Sequence, residues 1–491
     1  MTRANFNWLW ALSIWMTLSP FSMLPAQEKK ELVPLGAVMD SLALRYDLDF
    51  AYDAAVLRRD SLVSSALPKV FDKQWISTLL SGPQNLEVVF MGQQVIVGRS
   101  TPGSRPSALL EVSGRVLAAD GSGGLPMVNI GVEGRALGTS TNDEGRFVLR
   151  YPRAYIGEAL VFSSLGFVSE RFSLPQNDSV LEVVLKNYSI HLPEVQVLYT
   201  DPDQLMRSVR RRLAQNYPSE PFLLTAFFRE TIRQDDEYVE VSEAVVDIYK
   251  PSYQAGFASE RVRFVKGRKG ATARDMEVVQ FKLLGGPFHF AQVDVVRNGD
   301  FLPDEEGFSA YRYLYKGVDM DNDRVLYRVG FEPLHDEEGL FYRGELRIDK
   351  ESRAVVRVDF ELTPASIRRS RSYLVRRDSR RFRTRPVVAR YHLAYRPWGQ
   401  HWVLSRVRGE VSLRVNDRDR RQRSLFATVS EMLVSDFAPA DGQQRIPWSE
   451  AYRSDYVLSE QLGTFDPDFW QFYNVVEPDE DLRRVFQEGE R

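Results

Sequence analysis

Four groups of residues in this chain have types and spacings that do chemistry. His335-Asp336-Glu337-Glu338 sets an imidazole and a carboxylate three positions apart, donor types that hold zinc, and His392 or His401 would have to supply a third ligand. The surrounding PLHDEEG reads as an acidic turn between strands, and a working site would also need an open coordination position and a general base in a cleft. Asp319, Asp321 and Asp323 alternate like the first ligands of a calcium loop. The sixth and twelfth positions hold Arg324 and Gly330 where that loop needs Gly and Glu, so a hairpin turn is the expected role. There is no Ser-centred nucleophile elbow, phosphate loop or dinucleotide fingerprint. The expectation is a chain without catalytic residues, cofactor or metal.

The other two groups suit binding. Between Arg368 and Arg390 stand ten arginines and one acid, Asp378. Arg368, Arg369, Arg371, Arg376, Arg377, Arg380, Arg381, Arg383 and Arg385 form a candidate anion or partner patch, because guanidinium grips phosphate and carboxylate bidentately. Lipid A phosphates, acidic glycans or an acidic partner are the ligands considered. The alternative is a solvated loop and edge strand, where arginine discourages sheet-to-sheet pairing. Tyr311, Tyr313 and Tyr315 alternate in AYRYLYKG, putting three rings on one strand face. They line a candidate aromatic groove for sugar or lipid, or else pack across strands in a core.

Elements must place these groups. A length of 491 residues suggests about three domains. The formal charge of -3 gives no global pull toward nucleic acid or an anionic membrane. Cysteine is absent, which excludes disulfides, thiol catalysis and an acylated N-terminal cysteine. The apolar run Trp8 to Leu18, followed by Ala26, reads as a signal peptide over residues 1–26, too short to span a bilayer as a helix. The mature chain is then expected in the periplasm or on the periplasmic face of the outer membrane, with no transmembrane span and no nucleic-acid partner.

Residues 32–98 read as helix, strand, helix and hairpin. Leu35, Val38, Met39 and Leu42 share a helical face; Asp72 caps a second helix carrying Trp75, Ile76, Leu79 and Leu80, and a hairpin turns near Gly92. This order resembles the short N-terminal domain of secretins and TonB-dependent receptors, which implies contact with an inner-membrane regulator. Residues 99–109, rich in Pro, Gly and Ser, read as a linker. Residues 110–187 contain VSGRVLAADGSGGLPMVNIGVEGRALGTSTNDEGRFVL and then ALVFSSLGF, with Ile130 and Val132, and Phe147, Leu149 and Tyr151, alternating on strands. The stretch resembles the carboxypeptidase regulatory-like domain, a small β-sandwich without peptidase chemistry of its own. In Asn142-Asp143-Glu144-Gly145 the glycine permits positive φ and a side-chain oxygen can cap the turn; close strand packing is the role expected of Gly166-Phe167.

Residues 192–202 resemble the segment leading to the plug and barrel of receptors, but the stretch to Arg491 is too short for both. From residue 200 onward a helix built on Leu205, Val209 and Leu213 precedes repeated hairpins, with turns at QDDE, at Lys350 to Ser352 and at the WGQ tripeptide. They predict one broad antiparallel sheet with an apolar and a charged face. The hairpin GELRIDKESRAVVRVDFEL resembles those of periplasmic lipoprotein carriers. The closing FDPDFWQFYNVVEPDEDL, with FFRETI and YVEVSEAVVDIYK, resembles exported proteins known for their regulatory-like domain.

The fold class expected is multidomain and mainly β: a small α/β domain, a seven-stranded-type β-sandwich and a large antiparallel-sheet α+β domain. The function expected is a non-enzymatic envelope protein binding an envelope protein or a polyanionic or lipid ligand, the sandwich acting as spacer or docking module. Alternatives are a signalling adaptor acting through residues 32–98, a lipid or lipoprotein carrier, and a zinc carboxypeptidase.

Overall fold

The computed structural model describes residues 32–46, 48–52, 57–64, 67, 71–81, 86–91, 94–99, 109–135, 137–188, 201–235, 237–256, 258–272, 286–299, 301–304, 306–321, 324–375, 381–440, 445–453, 456–462 and 473–488. The proposed signal peptide, most of the proposed linker, Asp323, Arg376, Arg377 and Arg380 lie outside them.

The first unit runs β1 (Leu32–Pro34), α1 (Leu35–Tyr46), β2 (Asp49–Tyr52), β3 (Leu62–Ser64), α2 (Lys73–Ser81), β4 (Leu86–Met91) and β5 (Gln94–Arg99). Leu35, Val38, Met39 and Leu42 are all buried on α1, so the apolar stripe that favours the helix is also what docks it. The Trp75 N–H donates to Asp72 Oδ1 at 3.1 Å, satisfying a donor that the first turn of α2 would otherwise leave free. β5 pairs parallel with β2 and antiparallel with β4.

Seven strands follow: β6 (Leu109–Ala118), β7 (Asn129–Val132), β8 (Gly138–Ser140), β9 (Arg146–Pro152), β10 (Ala159–Ser163), β11 (Glu170–Ser173) and β12 (Ser179–Leu185). They form two sheets, ordered β11-β10-β7-β8 and β12-β6-β9, around Ile130, Val132, Phe147, Leu149, Phe162 and Val183. Asn142 Oδ1 accepts from the backbone N–H groups of Glu144 and Arg146 at 3.0 and 2.8 Å, and Gly145 takes φ +79°. A Cβ at 145 would meet Val116 O at 2.5 Å, so only glycine fits. Gly166 differs from expectation. Nothing lies within 4 Å of a Cβ there, and φ +82° is the constraint: it is a turn glycine, not a packing one.

The third unit begins with α3 (Pro202–Arg211), capped by Asp201 Oδ1 on the N–H groups of Asp203 and Gln204, and α4 (Leu213–Asn216). Then come β13 (Phe222–Gln234), β14 (Glu237–Lys250), β15 (Arg261–Ala271), α5 (Gly286–Gln292), α6 (Val295–Asn298), β16 (Tyr311–Asp321), β17 (Arg324–Pro333), β18 (Tyr342–Asp349) and β19 (Val355–Leu362). α7 (Pro364–Arg369), α8 (Arg371–Leu374), β20 (Phe382–Trp398), β21 (His401–Asp417), β22 (Gln422–Pro439), α9 (Leu458–Gln461) and α10 (Glu480–Glu488) complete it. One ten-stranded sheet has the order β15-β14-β13-β22-β21-β20-β19-β18-β17-β16, antiparallel throughout. It is two meanders, each built from local hairpins and joined where β13 meets β22.

The inner face of this sheet is filled by the unit's own helices. Leu205, Met206 and Val209 of α3, Phe290 of α5, Val295 and Val296 of α6, and Phe301 pack on Phe228, Val329, Val358, Leu393 and Val407. Beneath α5 and α6 lies one fully buried ionic knot. Lys250 Nζ sits 3.3 Å from Glu260 and 3.0 Å from Asp294, and Asp294 also accepts from the hydroxyls of Tyr253 and Tyr395, both at 2.8 Å. Each buried charge there is paired and hydrogen-bonded, the condition for carrying it at all.

The units share cores and latches. Val89 of β4 and Ile96 of β5 join the sandwich core, and Lys73 of α2 bridges to Asp436 of β22 at 3.0 Å.

Candidate functional site

The outer face of the large sheet is ionic, and cross-strand register explains why. Antiparallel pairing sets Arg408 of β21 opposite Glu431 of β22, and Asp359 of β19 opposite His392 of β20. Side chains two residues apart stay on that face, so each pair extends into a row. Glu431 accepts from Arg406 at 2.9 Å and Arg408 at 2.5 Å. Burial alone would raise the Glu431 carboxyl, but the two guanidinium charges outweigh it and hold it at about 2. Glu243 is gripped by Arg229 and Arg268, both at 2.7 Å, and lies below the usual carboxylate range for the same reason.

Toward the other arm, Arg347 reaches Asp319 at 3.0 Å and also Asp359, Arg357 reaches Asp321 at 3.1 Å, and Arg328 reaches Glu345 at 3.0 Å. His392 Nδ1 meets Asp359 Oδ1 at 2.6 Å. Burial pushes the Asp359 carboxyl up, the His392 hydrogen bond and Arg347 charge push it down, and the net direction is down.

The sandwich sits on this face. Arg406 Nη1 donates to Ser140 Oγ of β8 at 2.7 Å, and the Gly166 N–H donates to Met320 O of β16 at 3.3 Å. Residues 473–476 thread between them. Asn474 Oδ1 accepts from the Arg150 N–H at 2.7 Å and its amide donates to Arg150 O at 3.0 Å, as a neighbouring strand would. Val475 and Val476 pack on Phe227, Val245 and Leu433, and Thr139 Oγ1 donates to Val475 O at 3.2 Å. Leu482, Val485 and Phe486 of α10 then seal over Val241.

Two hollows border that junction. A cleft of about 130 Å³ lies between Met127, Asn129, Ser140 and Ser163 of the sandwich and Arg324, Arg357, His392, Arg396 and Trp402 of the sheet. Burial depresses Arg396 to about 10, partly countered by Asp436. His392 and Asp359 also line an open trough of about 450 Å³, with Lys316, Glu332, Arg343, Glu345, Glu361 and Arg390. The arrangement can receive a partner carrying both charge signs. His392 has a carboxylate to orient it; of the hydroxyls lining the same cleft, Ser405 donates to Ala394 O and Ser140 accepts from Arg406.

The candidate residues fare differently. Tyr311 and Tyr313 do share a face, but it is the inner one. They are buried, Tyr311 against Phe301 and Phe331, while Tyr313 donates to Phe301 O at 2.8 Å and Tyr315 packs at the core edge. The rings are spent on core packing, because an apolar sheet face this wide is covered by helices. Of the arginine patch, Arg369 binds Asp336 at 2.8 Å, Arg371 binds Thr384 at 3.0 Å and Arg381 binds Asp417 at 2.8 Å, so these three brace the chain's own side chains. Arg368 is exposed on α7, and Arg383 and Arg385 point outward from β20. His335 and Glu338 are exposed in their turn, and among the described residues no three His, Cys, Asp or Glu side chains converge as metal ligands. Asp319 and Asp321 serve as ion-pair acceptors beside a hairpin turn. The lattice around Glu431 and the Asn474 clasp were missed. Arg406, Arg408 and Glu410, alternating in SRVRGEV, marked an ionic face, but nothing local paired Asn474 with a strand 324 residues away.

A family model for the CarboxypepD_reg-like domain matches residues 112–197. The matched stretch takes in the sandwich, and the model does not cover the remainder of the chain. Among curated proteins, none matches. Among solved structures, a putative outer membrane lipoprotein-sorting protein domain from Vibrio parahaemolyticus aligns at 11% identity and TM-score 0.23, over 51% of this chain and 96% of that one. A DUF1329 family protein from Desulfovibrio piger aligns at 14% identity and TM-score 0.24, over 50% of this chain and 95% of that one. Similarity this shallow says nothing of what this chain binds. Among the described residues no helix is long and apolar enough to cross a membrane.

Proposed function

We propose that this chain is an exported, non-enzymatic binding protein of the cell envelope, acting in the periplasm or on the periplasmic face of the outer membrane. The CarboxypepD_reg-like sandwich serves as a docking module, and a ligand or protein partner engages the outer face of the large sheet at the trough that ends against it. One observation carries this reading: the inner face is filled by the chain's own helices, while the outer face is left open beside the sandwich. The same filling weighs against the lipid-carrier alternative.

The test is a photo-crosslinking amino acid placed at Leu314, exposed in the trough, or at Val180, exposed on the sandwich, in the full exported chain. A product formed from position 314 and abolished by Lys316→Glu with Arg343→Glu supports the trough. Equal products from both positions, or none from 314, would overturn it. Fractionation of cells expressing the full chain checks export.

A further inference from the structure

Arginines on the outer face of the sheet fall into two populations. Arg229, Arg268, Arg312, Arg328, Arg343, Arg347, Arg357, Arg390, Arg406 and Arg408 each face a carboxylate. At the far end of the β20–β22 hairpins the pattern stops. Phe382, Thr384, Leu413, Val415, Ser424 and Phe426 are buried, so the alternating Arg383, Arg385, Arg414, Arg423 and Leu425 point the other way and are exposed. Arg414 and Leu425 keep the parity of Arg408 and Glu431 along their strands, which puts them on the same outer face.

Register gives the geometry. Arg385 lies directly opposite Arg414, which lies opposite Leu425; Arg383 lies opposite Asn416, which lies opposite Arg423. None of these four arginines has a carboxylate or hydrogen-bonding partner among the described residues. Like charges directly across a ladder oppose pairing, whereas the ten arginines named above each have a carboxylate beside them.

We infer that this end of the sheet is a docking surface for the phosphate headgroups of an anionic phospholipid membrane. Strands stand about 4.8 Å apart and same-face residues about 7 Å apart along a strand, so the four arginines project from a grid of neighbouring, exposed positions. Such a set of positions suits an extended layer of phosphates, which guanidinium binds bidentately. Leu425, 42% exposed in the same row, adds an apolar contact at headgroup depth. With 64 basic and 67 acidic residues overall, the attraction is local and not a property of the whole chain.

The inference rests on the envelope reading above, since export brings the chain to such a surface. Cell fractionation tests that reading, and binding to purified vesicles tests this one, so their failures are separable. The full chain is sedimented with phosphatidylglycerol–phosphatidylcholine vesicles, with pure phosphatidylcholine vesicles as the neutral arm. Binding only to the anionic vesicles, weakened by added salt, is expected. Arg385→Ser with Arg414→Ser should weaken it roughly tenfold or more, since each arginine near an anionic leaflet contributes about fivefold. Arg312→Ser with Arg171→Ser removes the same charge at exposed, paired positions and should change binding less than about twofold.

The first double variant should melt no lower than wild type, because it removes a like-charge opposition. Inorganic phosphate at matched ionic strength should displace no more protein than chloride does. Equal loss in both double variants, equal binding to neutral vesicles, no binding to anionic ones, or selective displacement by free phosphate would each overturn the inference.

Discussion

On its inner face the ten-stranded sheet is sealed by Leu205, Met206, Val209, Phe290 and Phe301 of its own unit; on its outer face it carries arginine–carboxylate rows and is covered by the sandwich and residues 473–488. The inner contacts are apolar and dense, so they hold the unit together. The outer contacts are polar and specific in direction, so they decide what may lie on the sheet and in which register. A face that is built to be covered by other modules is also a face on which a partner can compete or add.

The contrast can be broken most severely from the inside. Phe301 is 1% exposed, stacks on Phe331 at a centroid distance of 4.4 Å and meets Phe360 at 4.9 Å. Phe301→Ala should destabilise the large unit by about 3–5 kcal/mol, read as a lower urea midpoint, through lost burial and the cavity left behind. A loss under about 1 kcal/mol would mean the inner face is not the unit's main support.

The next effect is electrostatic. Glu431 is depressed to about 2 in the folded chain from an ordinary 4.5, so its stabilisation is present above that ordinary value and fades as the pH falls toward 2. It amounts to something on the order of 3 kcal/mol. Glu431→Gln should therefore be less stable than wild type at pH 7, with the gap in melting temperature closing between about pH 4.5 and 2. A gap that stays constant across that range would refute the assignment.

Smaller still is the clasp. Asn474→Ala leaves the Arg150 N–H and C=O without their partner and should cost about 1–3 kcal/mol. Limited proteolysis should cut before α10 faster than in wild type while the sandwich stays intact. The smallest effect belongs to the exposed rim. Arg312 pairs with Glu332 at the surface, and Arg312→Ser should shift stability by less than about 1 kcal/mol.

Much of this was written locally. The stripe Leu35, Val38, Met39, Leu42 predicted α1, the alternation at Phe147, Leu149 and Tyr151 predicted β9, and the turns at Lys350 to Ser352 and at Trp398-Gly399-Gln400 predicted hairpins of the large sheet. The tyrosine stripe was legible as one strand face, but strand periodicity cannot say whether a face meets water or helices. The arginine patch was legible as charge only. Its struts depend on Asp336 and Asp417, 33 and 36 residues from Arg369 and Arg381, and on chain paths that composition does not record.

By itself the sequence determined the elements, their turns and the two-faced character of the strands, because dihedral preference and hydrophobic period act over a few residues. Tertiary structure alone decided the rest. It joined β13 to β22, filled the inner face with α3, α5 and α6, laid the sandwich and Asn474 on the outer one, and left Arg385 opposite Arg414 while pairing Arg408 with Glu431. Those choices turn on which distant surfaces bury the most apolar area and leave the fewest polar groups unpaired, a sum taken over the whole chain.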